Sequence, residues 1–228
     1  MQKDLNTYLV EMEKIMAERR SKLKSGPNVI QLRYLSQHIS PAELAQLETE
    51  TEALGLQLSA MDRSGIMQNS ISSLSGDLVL MLTEPGITGI LLSGLMTNGL
   101  YDGLKALIIS FWSKVNGKQT VSQTARTIRE HPASFNLSIK IDENRSVELK
   151  TENLDEKALG VALDKISDIV KDLGNQKNTL MLFDPLDIKW TQVMVDIDYL
   201  KQHQKLTREI PLEEYLEELR RKESGELK

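Results

Sequence analysis

The sequence predicts an α+β protein that is mostly α-helical, and three observations carry that expectation. Residues 1–84 place apolar side chains at three-to-four spacing over two long stretches. Between Gly86 and Tyr101 there is no charge at all, and the glycine-rich run Pro85–Lys118 reads as one central helix that is apolar all round. Residues 135–150 then alternate apolar and polar, and 154–173 return to a helical stripe, giving one β-hairpin-plus-helix unit. The organisation that follows is an N-terminal helical region 1–84, an apolar Gly-rich helix 85–118 and an α+β C-terminal region 119–228.

Taken in order, Leu5, Tyr8, Leu9, Met12, Ile15 and Met16 predict a helix over Lys3–Lys24, ended by Gly26-Pro27. A second helix starts at Ser40-Pro41-Ala42-Glu43, where Ser40 caps, Pro41 fits the first turn and Glu43 completes a capping box. Its seam is Leu44, Leu47, Leu54, Leu58 and Met61. Residues 64–76 turn to small polar side chains and suit either a thinly apolar helix or a hinge. After the central stretch, Asn116-Gly117 marks a turn and His131-Pro132 a boundary.

Phe135, Leu137, Ile139 and Ile141, then Val147 and Leu149, alternate around Asp142-Glu143-Asn144-Arg145, the signature of a hairpin. A lone two-stranded ribbon is marginal in water. The helix after it, capped at Asn153 and striped by Leu159, Ala162, Leu163, Ile166, Ile169, Val170 and Leu173, supplies a cover. Thr179–Phe183 suits a third strand, and 188–206 leans to helix through Trp190, Val193, Met194, Ile197 and Leu200. Pro211 opens a last helix with Leu212, Tyr215, Leu216 and Leu219 on one side.

Composition excludes several function classes. With 228 residues the chain can bury a substantial core, and a net charge of -5 lacks the basic footprint of non-specific nucleic-acid binding. The absence of cysteine removes disulfides, thiolate catalysis and Cys-type zinc sites. Charges run through MQKDLNTYLVEMEKIM where a signal peptide needs an apolar core, so a cytoplasmic location is expected.

The chemistry-bearing residues do not assemble into a motif. His38, His131 and His203 lie in separate segments without a second ligand at metal spacing. Asn116-Gly117-Lys118-Gln119-Thr120 lacks the first glycine and the magnesium-binding hydroxyl of a phosphate loop. Asp184, Asp187, Asp196 and Asp198 read as turn and surface carboxylates rather than a divalent-metal pair. The expectation is a protein that is not an enzyme, with no cofactor and no metal.

Function is therefore sought in the central stretch. On a helical wheel Gly99, Gly103, Ala106 and Ser110 form a narrow helix-association seam that includes a literal GxxxG. Asn98, Asp102 and Lys105 form a polar stripe, with Asp102 and Lys105 able to pair across one turn. Trp112 with Lys114 resembles an interfacial anchor. Over Ile87–Trp112, eleven Ile, Leu and Phe side chains favour bilayer insertion by about 3–7 kcal/mol, and a central Asp and Lys cost about 2.5–3.5 kcal/mol each. The near balance suits a conditional membrane segment or a buried core helix.

The order of an N-terminal helical region, the segment GITGILLSGLMTNGLYDGLKALIISFW and the unit FNLSIKIDENRSVELKTENLDEKALGVALDKI resembles small accessory membrane-acting effectors of prokaryotic immune and conflict systems, over about residues 76–173. The resemblance implies a non-enzymatic membrane-acting or oligomerising effector, cytoplasmic until a partner sensor activates it and relocating to the inner membrane. It carries no catalytic residues across. The alternative is a soluble helical adaptor or subunit of a larger protein complex. Both readings expect a protein partner and no direct nucleic acid; the first adds a membrane and a homo-oligomer.

Overall fold

Short apolar runs build most of this protein. The computed structural model describes residues 5–65, 77–92, 99–123, 127–142, 145–151, 154–172, 178–193 and 208–211, with Glu214, Glu217 and Arg221. The chain divides into two compact units, one formed by Met1–Asn116 with Ser134–Met194, the other by Gly117–Ala133 with Val195–Lys228.

The first unit is organised on a seven-stranded mixed sheet, so the expectation of a mostly helical protein is corrected. Its strands are β1 (Val29–Tyr34), β2 (Gln57–Asp62), β3 (Leu78–Leu82), β6 (Phe135–Lys140), β7 (Ser146–Lys150), β8 (Asn178–Asp184) and β9 (Lys189–Val193), in the order β2-β1-β3-β6-β7-β8-β9. The predicted hairpin is present as the antiparallel β6–β7 pair. Three parallel pairs, β1–β2, β3–β6 and β7–β8, surround it. The second unit holds a three-stranded sheet of β4 (Gln119–Gln123), β5 (Thr127–Pro132) and β10 (Arg208–Pro211), with β5 central.

Six helices complete the described residues: α1 (Leu5–Ser21), α2 (Pro41–Ala53), α3 (Pro85–Leu92), α4 (Gly99–Ser113), α5 (Glu156–Asp164) and α6 (Ile166–Asp172). The capping box at Ser40 and Glu43 starts α2. Leu54 closes it, and Gly55 follows at φ 72°, the left-handed C′ position that ends a helix. Leu58 and Met61 therefore lie on β2, not on a continuing helical seam. Asp155, rather than Asn153, caps α5, and Lys165 separates α5 from α6 where one helix was expected. In the segment expected as a helix over 188–206, Ile188 ends a turn and Lys189–Val193 form β9. The region 66–76 and the residues 194–207 lie outside the described residues.

Residues opposite one another in register share a face. Leu80 of β3 faces Leu32, which faces Ala60, and on the other side Leu137, Leu149 and Met181 continue the row. Leu32, Leu80, Leu137 and Leu149 are all buried. Helices cover this face: Ile139 and Val147 close on Ile166 and Ile169 of α6 around an apolar pocket too small for a water molecule, and Trp190 Nε1 donates to the Ala162 carbonyl at 2.9 Å. The C-terminal end of α1 lies toward the opposite face, since the Lys24 amide donates to Ser59 Oγ and Gln31 Nε2 to the Lys24 carbonyl.

Candidate functional site

The stretch 85–118 is divided into α3 and α4, and 93–98 are outside the described residues. At 1.5 Å per residue α4 is about 22 Å long, short of the roughly 30 Å hydrocarbon core. Among the described residues no helix is long and apolar enough to cross a membrane. Tyr101, Leu104, Leu107, Ile108, Phe111 and Trp112 of α4 are buried inside the unit. Trp112 thus packs in a core instead of standing at an interface, and Lys114 reaches Gln46 Oε1 at 3.4 Å.

Two residues of the small-residue seam turn toward α2. An ideal Cβ at Gly103 would lie 2.5 Å from Leu54 Cδ2, so the Leu54 side chain at the end of α2 packs directly onto this glycine. Ser110 Oγ donates to Glu50 Oε2 at 2.6 Å. Gly99 and Ala106 are exposed. In the polar stripe, Lys105 pairs not with Asp102, which is exposed, but with Asp164 of α5 at 2.6 Å. Tyr101 donates to the same carboxylate oxygen at 3.0 Å. Burial and then the Asp164 carboxylate push the Tyr101 phenol well above its ordinary range. Asn98 lies outside the described residues.

The sheet face opposite the helices carries charge. Alternation in VIQLRY sends Ile30 and Leu32 to the helices and Gln31 and Arg33 to the other side. Arg33 stands in register with Met61 and Val79. Arg63, two residues past Met61, continues the ladder through its amide to the Tyr34 carbonyl at 2.7 Å. Asp77, two residues before Val79, accepts from the Ser134 amide at 2.9 Å and hydroxyl at 3.2 Å. Farther along, Asn136 Nδ2 donates to Glu148 Oε1 at 2.9 Å, and Lys150 Nζ lies 3.5 Å from the same oxygen. Arg63, Asp77, Ser134, Asn136 and Lys150 are all buried. Burial, then the charge of Arg20, lowers the pKa of Arg33; burial, then Arg33, lowers that of Arg63 against an opposing pull from Asp77.

The β8–β9 connection presents the contrasting surface. Asp184 Oδ1 accepts from the amides of Leu186 at 2.9 Å and Asp187 at 3.2 Å, which fixes the turn. Leu186 is 92% exposed and Ile188 51% exposed. Ile188 has φ 52°, a left-handed conformation that is unusual for a β-branched side chain. Asp187 pairs with Lys189 at 2.7 Å beside it. Sequence reading took Asp184-Pro185 as a turn, yet the exposure of the two apolar residues depended on β9 being a strand.

Among the described residues no group of three or more His, Asp or Glu could hold a metal ion. His38 is buried beside Gln37, and His131 Nδ1 lies 3.0 Å from the Pro132 carbonyl oxygen; His203, Asp196 and Asp198 are outside the described residues. No protein-family profile, curated protein or solved structure matches this chain.

Proposed function

We propose that the protein is a non-enzymatic adaptor, a subunit that docks a protein partner through the apolar tip of its β8–β9 hairpin. The carrying observation is the pair Leu186 and Ile188, held outward by an Asp184-pinned turn at the cost of a left-handed β-branched residue. Such a conformation costs about 1–3 kcal/mol and persists where the surrounding structure over-determines it, most often at functional positions. The helix α4 favours this reading over a membrane-acting effector, because its apolar side chains are already in contact with α2, α5 and the sheet.

The test is affinity purification of the full chain and of Leu186→Asp from its native source. A stoichiometric partner that co-elutes with the wild type and is lost from the variant, whose thermal stability is unchanged, is expected. No such partner, or one indifferent to the substitution, sinks the proposal. Liposome flotation separates the membrane reading: the adaptor stays with the aqueous fraction, and co-flotation with dye leakage would restore the effector. Gly103→Leu separates the seam readings. It is expected to destabilise the fold by about 1–3 kcal/mol through overpacking against Leu54, whereas an assembly seam would lose self-association with the fold intact.

A further inference from the structure

We propose that the C-terminal end of the parallel β1–β2 pair is an anion site that takes a phosphate group, gripped by Arg33 with Arg20 and Arg63 around it. It is independent of the hairpin tip. In open α/β sheets ligands bind beyond the carboxyl ends of parallel strands, and Arg33 stands at that end of β1 with Arg63 just past the end of β2.

Arg33 is the centre of the site. It lies between Met61 and Val79 on neighbouring strands, apolar side chains that offer its guanidinium nothing. Its Nε is buried without a hydrogen-bond partner, and no carboxylate pairs with it among the described residues. A partly desolvated cation without a counter-charge is costly, and a folded chain satisfies it with an ion pair, a shifted pKa or a bound anion. Arginine does not escape by losing its proton.

Arg63 stands diagonally beside it, within reach of long side chains. Arg20 comes from the last turn of α1, whose position is fixed by its neighbour: Arg19 Nη1 donates to the carbonyls of Asp62 at 2.8 Å and Ser64 at 3.0 Å. Each of these arginines feels the next, Arg33 through Arg20 and Arg63 through Arg33.

Charge selects the ligand class. Asp77 acts on Arg63, and its Oδ2 already accepts from the amide and hydroxyl of Ser134. Arg33 and Arg20 bring two positive charges that no carboxylate pairs with among the described residues, which a phosphate dianion matches better than a single carboxylate does. Guanidinium forks also fit phosphate oxygens two at a time. Arg20 is exposed and Arg33 only partly covered, so the end of the pair is open to solvent.

The experiment titrates the full chain with inorganic phosphate, read by thermal shift and calorimetry against sodium chloride at equal ionic strength. A saturable stabilisation by phosphate that chloride does not reproduce is expected, weakened at least tenfold in Arg33→Met. Arg20→Ala, a substitution on an exposed helical turn, is expected to weaken it several-fold and guards against an Arg33 variant that fails to fold. Adenosine monophosphate forms a second arm: tighter binding than the bare ion assigns a phosphate ester, and equal binding assigns the ion itself. An equal response to phosphate and chloride, or phosphate binding unchanged in both variants, overturns the site.

Discussion

On the helix-covered face of the seven-stranded sheet the row Leu32, Leu80, Leu137 and Leu149 is apolar from strand to strand, whereas the opposite face sets Arg33, Asp77, Ser134, Asn136, Glu148 and Lys150 at neighbouring positions. Both faces bury most of their side chains. On the first, burial is its own stabilisation, at about 1.5–3 kcal/mol for each large side chain removed from water. On the second, every buried polar group must find a partner, and a partner gains back little more than burial costs. The difference teaches that one sheet can stabilise its two sides by different means: one by apolar burial, the other by pairing the polar groups it buries.

The largest expected effect breaks the apolar side. Leu80→Ala, in an interior strand and fully buried, is expected to cost about 3–5 kcal/mol, measured by urea unfolding at neutral pH. A loss under 1 kcal/mol would mean that the helix-covered face is not the stabilising one. An intermediate effect probes a polar knot on the helix side, where Tyr101 and Lys105 share Asp164. Tyr101→Phe removes one bond to a charged acceptor and is expected to cost about 1.5–3 kcal/mol.

That same variant carries a pH signature. The phenol is raised above its ordinary value of 10.0 in the folded state, so its contribution is fully present below about pH 10 and is lost as pH rises through the folded value. Alkaline unfolding of the wild type should steepen above pH 10, and Tyr101→Phe should flatten that limb. An identical pH slope in both proteins would discard the assignment. The smallest effect has the opposite sign. Arg33→Met, which replaces a half-buried cation that no carboxylate pairs with among the described residues, is expected to raise stability by about 1 kcal/mol in phosphate-free buffer. Destabilisation of 2 kcal/mol or more would show that Arg33 is held by a partner and would sharpen the two faces into more similar ones.

Much of this was legible where sequence signals are local. The capping box at Ser40 and Glu43 and the alternation through Phe135 to Leu149 each depend on residues within a few positions, and both appear as read. The strands at Val29–Tyr34 and Leu78–Leu82 were missed because a short, nearly continuous apolar run has no period that separates a buried strand from a helical turn. Gly55 was a visible helix stop, yet Leu58 and Met61 continued the spacing by coincidence and concealed it. Trp190 and Val193 likewise fit two periods, and pairing with β8 decided between them. The apolar stretch was read as one helix without a water-facing side, whereas α4 exposes Gly99, Leu100, Asp102 and Ala106 and buries the other side among neighbours that local spacing could not name. That Gly103 meets Leu54 and Lys105 meets Asp164 follows from contacts across roughly 50 and 60 positions, which no local pattern encodes.

The strand order has a consequence in time. β3 takes β1 on one edge and β6 on the other, and 52 residues separate Leu82 from Phe135. At a synthesis rate of about 5–20 residues per second, the nascent chain holds an apolar strand with one open edge for roughly 3–10 s. During that interval α3, α4, β4 and β5 emerge, and β5 itself waits for β10 near the far end of the chain. The pause between two adjacent strands therefore sets how long the β3 edge beside Leu78, Leu80 and Leu82 is open to pairing with another copy.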